Sequence, residues 1–119
     1  MRDGALQLKS FAFAVRVVNL YKYLYSEKKE FVLSKQLLRS GTAIGELVRE
    51  AEQAESKSDF VHKLAIALKE ANETEYWLLL LRETAYLTAA ESESIITDNQ
   101  ELLKLLTSII KSTKKGLTQ

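Results

Sequence analysis

Cysteine and proline are absent from this chain, histidine occurs once and glycine only four times. Without cysteine there is no disulfide, no thiolate metal site and no cysteine nucleophile, a composition that suits a reducing cytoplasm. A single histidine, His62, leaves no histidine cluster for a metal. Long apolar runs are missing too. The longest, YWLLLL at 76–81, falls far short of the ~20 residues a membrane-spanning helix needs. The opening MRDGALQLKS puts polar and charged residues where a secretion leader needs an apolar stretch. These absences set the expectations: a cytoplasmic protein with no membrane part, no metal and no cofactor.

What is present points to helices. The chain is rich in Leu, Ala, Glu and Lys, and no proline interrupts it. Its 119 residues are enough to bury one core without staples, so 1–119 reads as a single domain. The net charge of +1 hides a lopsided distribution. Residues 1–49 hold nine Lys/Arg against four Asp/Glu; residues 50–101 hold four against twelve. The stretch 102–119 has four lysines and no acid. Such asymmetry serves either a nucleic-acid surface or pairing between oppositely charged faces.

Four amphipathic segments follow from the spacing of apolar residues. In the first, about 4 to 27, Leu6, Phe13, Val17, Leu20 and Leu24 share one stripe, with Ser10 filling a gap. Ala14, Val18, Tyr21 and Tyr25 run beside that stripe and widen it. Ser34 is placed to cap the second helix, with Leu33 and Leu38 as a hydrophobic staple and Leu37, Gly41, Ile44, Val48 and Ala51 as its stripe. Ser56 and Asp59 form a capping box for the third, which carries Phe60, Val61, Leu64, Leu68, Ala71 and Leu78 and runs to about Tyr86. Thr88 and Glu91 form another, opening a fourth helix lined by Ile95, Leu102, Leu106 and Ile109. Short connections make successive helices antiparallel neighbours. The predicted fold is all-α, an antiparallel up-down-up-down four-helix bundle.

Two of the four glycines, Gly41 and Gly45, fall inside the second helix, where each costs roughly 1 kcal/mol against alanine. Their spacing of four clears one spot for a close neighbour, within the core or at a subunit contact. Glu75 and Arg82 lie in line with the leucines of the third helix, so pairing or an interface is expected there.

Chemistry is harder to find. Asp59 and His62 have the spacing of a carboxylate–histidine metal pair, but a di-iron bundle needs two such motifs and two further carboxylates. Glu70, Glu73 and Glu75 sit with Lys63 and Lys69 as a solvated charged face. GTAIG at 41–45 lacks the Lys-Ser/Thr and the preceding strand of a phosphate loop. No catalytic residue is expected. For nucleic acid, Arg2, Lys9 and Arg16 recur every seven residues along one side of the first helix, and Lys111, Lys114 and Lys115 form a basic tail. Phosphate contacts from these would bind weakly and fade with salt; no base-reading motif accompanies them.

The stretch 33–78 resembles the four-helix-bundle family of proteins encoded in intervening sequences of 23S ribosomal RNA genes, once labelled S23 ribosomal proteins. The resemblance is carried by Leu33, Ser34, Gln36, Leu37 and Arg39, then by Thr42, Ile44 and Gly45, then by Val48 and Glu50. It continues in Ser56, Lys57, Asp59 and Phe60, and in the run Ile66, Ala67, Lys69, Glu70, Ala71, Glu73, Thr74, Tyr76, Trp77 and Leu78. Leu47 stands where the family commonly has Asn. The resemblance implies a homo-oligomer, a pentameric barrel of bundles, and no catalysis. It also brings in the related accessory variability proteins of retroelements, which bind RNA and a reverse transcriptase. Two functions are therefore expected: assembly or scaffolding by a non-catalytic oligomer, or RNA and ribonucleoprotein binding through basic surface residues.

Overall fold

The computed structural model describes residues 4–117. Four helices follow one another: α1 (Ala5–Ser26), α2 (Leu33–Ala51), α3 (Lys57–Glu83) and α4 (Ala89–Leu117). The direction of each is fixed by its cross-helix pairs. Val17 meets Gly41 while Ser10 meets Gly45, so α1 and α2 run oppositely. Arg39 reaches Glu73 and Lys63 reaches Glu50, reversing α3 on α2. Tyr23 pairs with Glu91 and Lys9 with Glu101, reversing α4 on α1. Each helix touches its two neighbours and not the one diagonally opposite, which is an up-down-up-down bundle.

The core is built from the stripes. Leu6, Phe13, Val17 and Leu24 of α1 are buried with Leu37, Ile44 and Val48 of α2. Leu64, Ala71, Leu78 and Leu81 of α3 and Ile95, Leu102 and Leu106 of α4 close it. Fully burying a side chain of this size contributes about 1.5–3 kcal/mol, so these positions carry the fold. Ser10 is buried inside the α1 stripe, and its carbonyl lies against Gly45.

The termini show how local chemistry sets the helix limits. Ser56 Oγ accepts the Asp59 amide at 3.0 Å to start α3. Thr88 Oγ accepts the Glu91 amide at 3.0 Å while Glu91 accepts the Thr88 amide at 2.9 Å, a reciprocal capping box for α4. The start of α2 differs from the expected Ser34 cap. Glu30 does that work: its carboxylate accepts the amides of Val32, Leu33 and Ser34 at 3.1, 2.9 and 2.6 Å. Ser34 lies within the first turn, buried, and its hydroxyl donates to the Glu30 carbonyl at 2.9 Å. From inside the helix its side chain lies past the position that caps the first-turn amides.

α3 ends at Glu83, three residues before the expected Tyr86. Ala85 adopts φ 68°, and the amides of Ala85 and Tyr86 turn back to the carbonyls of Arg82 and Leu81. This is a Schellman closure with alanine in the left-handed position where glycine is usual.

Candidate functional site

Gly41 and Gly45 mark a close approach of α1 to α2. A methyl group on Gly41 would sit 2.8 Å from both Cγ atoms of Val17; one on Gly45 would sit 3.2 Å from the Ser10 carbonyl oxygen. The missing side chains let α1 lie directly on α2.

The basic residues of α1 are engaged elsewhere. Lys9 Nζ lies 3.1 Å from Glu101, and Arg16 Nη1 lies 2.6 Å from Asp98 and 3.1 Å from Ser94 Oγ. Tyr23 completes the heptad series by donating to Glu91 at 2.9 Å. The spacing of seven that suggested a phosphate-binding row is thus a polar ladder joining α1 to α4. Arg2 falls outside the described residues. On the other side, Arg39 pairs with Glu70 and Glu73, Lys63 with Glu50, and Thr74 donates to Ser40 Oγ at 3.0 Å. Much of the charge asymmetry along the chain is therefore met inside one bundle, α1 against α4 and α2 against α3.

Glu75 is half-buried and accepts from Gln100 Nε2 at 3.1 Å, and Arg82 pairs with the adjacent Glu83 at 3.4 Å. Both sit at the margin of the α3 seam. Lys111 and Lys114 are exposed on the last turns of α4, where their charge also suits the helix C-terminus. Lys115 is exposed beside them. His62 is exposed, and Asp59 accepts the Glu55 amide as part of its cap. Among the described residues no group of three or more His, Cys, Asp or Glu side chains could hold a metal ion, and no helix is long and apolar enough to cross a membrane.

Three carboxyls titrate away from their ordinary range: Glu91, held low by the Thr88 amide and the Tyr23 hydroxyl in the α4 cap, and the pair Glu30 and Glu70. Burial pushes Glu30 up, but the amides of Leu33, Ser34 and Val32 outweigh it and hold the group low. Burial and the neighbouring Glu73 charge push Glu70 up, against the pull of Arg39. None faces a reacting group: Glu30 and Glu91 close helix starts, and Glu70 belongs to the cluster that pins α2 to α3.

One surface has no partner within the molecule. Leu8, Phe11, Val15 and Tyr25 of α1 are 69%, 62%, 46% and 50% exposed. With half-buried Val18 and exposed Lys22 they recur at alternating steps of three and four: 8, 11, 15, 18, 22, 25. The helix thus carries two apolar seams. The inner one, 6, 10, 13, 17, 20, 24, faces the core; the outer one faces solvent. Sequence reasoning merged the second into a single widened stripe and left out Leu8, Phe11 and Val15, although their spacing is visible. Beside Phe11, a groove of about 390 Å³ opens between α1 and α2, lined by Gln7, Ala14, Gly45, Glu46 and Arg49 among others. At the far end Tyr25 meets Phe31 edge-on at 4.8 Å, and Val32 is 69% exposed.

The family described as 23S rRNA-intervening sequence protein matches residues 3–108. The chain belongs to that family. A crystal structure at 1.70 Å of a protein of unknown function from the S23 ribosomal protein family of Bacteroides thetaiotaomicron VPI-5482 is 64% identical. That likeness covers 90% of this chain and 99% of the other, with a TM-score of 0.89. None of the curated proteins matches. In this intervening-sequence protein, the residues that carry the family resemblance serve the architecture. Gly45 admits α1, Ser56 and Asp59 cap α3, and Arg39, Glu70, Glu73 and Thr74 join α2 to α3. Leu47 is half-buried and packs against the core.

Proposed function

We propose that this intervening-sequence protein is a non-catalytic, cytoplasmic subunit of a homo-oligomer that acts in assembly or scaffolding. The observation that carries this reading is the outer seam of α1. Large apolar side chains gathered on one exposed face mark a contact surface, because scattered single residues are normal on a monomer but aligned ones are not. Lys9, Arg16, Arg39 and Lys63, by contrast, are engaged in cross-helix pairs, and Glu30 and Glu91 in caps, which supports a structural role. The five-subunit barrel implied by the family resemblance is one closed form such a contact can take.

The test is the mass in solution by sedimentation or light scattering at micromolar concentration. An integral multiple of the 13.5 kDa chain is expected, five for the barrel. A monomer at those concentrations rejects the assembly reading.

A second reading, RNA or ribonucleoprotein binding, is supported by the exposed Lys111 and Lys114 on an acid-free last stretch of α4. Lys9 and Arg16 would first have to leave their carboxylate partners, a modest cost for half-exposed pairs of this kind, about 0–1 kcal/mol each. Titration with structured RNA at two salt concentrations checks it. Affinity that does not fall as salt rises counts against phosphate contacts.

A further inference from the structure

We infer that Arg39, Glu70 and Glu73 form a proton-operated latch between α2 and α3, in which Glu70 donates a shared proton to Glu73 and the bundle tightens in weak acid. The geometry sets one cation against two carboxylates three residues apart on α3. Arg39 Nη2 bonds Glu73 directly, whereas its Nη1 stands 3.7 Å from Glu70 Oε1, too far for a hydrogen bond. The guanidinium is thus committed to Glu73. Glu70 is the drier of the two, its side chain 18% exposed against 41%, and its Oε1 is shielded from water with no hydrogen-bond partner among the described residues. An ionised carboxylate placed there forgoes hydration without gaining a donor, which is costly. Protonation removes the charge and supplies the missing donor, because a carboxylic acid gives an O–H where a carboxylate only accepts. The Glu73 carboxylate beside it is the acceptor.

The surroundings agree. Burial is the largest push on Glu70 toward the protonated form and the Glu73 charge the next; Arg39 from α2 and, more weakly, Lys69 from its own helix pull the other way. Farther along the same seam Lys63 is taken up by Glu50, and on the other side of α3 Glu75 meets Gln100 of α4. One turn on from Glu70, the buried Thr74 hydroxyl lies 3.0 Å from Ser40 Oγ and 2.8 Å from the Glu70 carbonyl. The latch therefore sits where α2 and α3 are also tied from within. Because the folded chain holds this proton more tightly than the unfolded one, the stabilising effect is full below the ordinary carboxyl value of 4.5. It is lost as pH rises through the higher, folded value. Glu30 and Glu91 act in the opposite sense, their contributions fading as pH falls below 4.5. Together these groups place their greatest stabilisation in weak acid and not at neutral pH.

The experiment follows urea midpoints of wild type, Glu70→Gln, Glu73→Gln and the double variant between about pH 4 and about pH 8, with the slope checked for constancy. Chain concentration is fixed, so that any association enters all four alike, and circular dichroism confirms helix content in each. Glutamine imitates the protonated glutamate and cannot ionise. Glu70→Gln is expected to have a higher midpoint than wild type at about pH 8, the gap closing toward pH ~4.5. With Glu73 already replaced, the same change should raise the midpoint less, since the neighbouring charge is gone and burial alone remains. A Glu70→Gln midpoint at or below that of wild type at the alkaline end, or a gap indifferent to pH, would overturn the latch. A gain of equal size in the Glu73→Gln background would leave burial as the sole cause and remove the shared proton. In wild type, the Glu70 carboxyl carbon followed by NMR should titrate above 4.5, and a midpoint at or below that value counts equally against the inference.

Discussion

At the residue scale, Gly41 and Gly45 separate two effects that sequence alone merges. Alanine at either position gains up to about 1 kcal/mol of helix propensity. At Gly41 the new methyl meets the stiff γ-carbons of Val17, and overpacking of that kind costs about 1–3 kcal/mol. Gly41→Ala is therefore expected to destabilise by about 1–2 kcal/mol, with Gly45→Ala closer to neutral, read as urea midpoints at unchanged slope. Glu30 gives a pH signature. Its folded-state pKa lies below the ordinary 4.5, so its contribution is fully present above that value and is lost as pH falls through the lower, folded one. Glu30→Gln should cost about 1–2 kcal/mol at pH 7, since three charge-assisted bonds weaken together. The gap from wild type should close in acid below pH ~4. A constant gap down to pH 2 would show that the carboxylate charge is not what matters.

At the scale of the element, the helices themselves were legible and their ends only partly so. The stripes on α1 to α4 placed the core because burial follows a period that side-chain type reveals directly. The Ser56 and Thr88 caps were equally plain, since each accepts an amide three residues on. Only Thr88 and Glu91 close the expected reciprocal box, because Asp59 accepts the Glu55 amide and not that of Ser56. The α2 start was not plain. Ser34 is the residue type that caps in sequence and Glu30 is not, and only the path of the 27–32 connection brings the Glu30 carboxylate over the three free amides. The end of α3 was missed for a similar reason: an alanine at φ 68° gives no composition signal. That strain is testable. Left-handed backbone costs a residue with a side chain about 1–2 kcal/mol, and glycine gives back about half of it through its freer unfolded state. Ala85→Gly should raise the stability by about 0.5–1 kcal/mol, seen as a higher thermal midpoint.

For the whole molecule, the sequence showed that charge was unevenly spread but not where each charge would be answered. Heptad spacing at 2, 9 and 16 fits a phosphate row and a helix–helix ladder equally well, because both need one sign repeated along one face. Only the placement of Glu101, Asp98 and Glu91 across from Lys9, Arg16 and Tyr23 distinguishes them. The outer α1 seam was hidden differently. A helix with two apolar faces looks, in sequence, like a helix with one broad face, and it takes a folded neighbour on one side to reveal the other as unoccupied. Removing the ladder should matter little in a single chain. Arg16→Ala with Asp98→Ala in a double-mutant cycle is expected to yield a coupling of about 0.2–1 kcal/mol that shrinks in molar salt.

The four seams of the bundle are not alike. Where α1 meets α2, α2 meets α3 and α3 meets α4, backbones approach closely; where α1 meets α4 they approach least, and ionic and hydroxyl groups span the remaining width. A cylinder stitched on three sides and laced on the fourth has a built-in zipper. Brine unlaces it without disturbing the stitches, so amide exchange in concentrated salt should quicken first along the edges of the outer two helices.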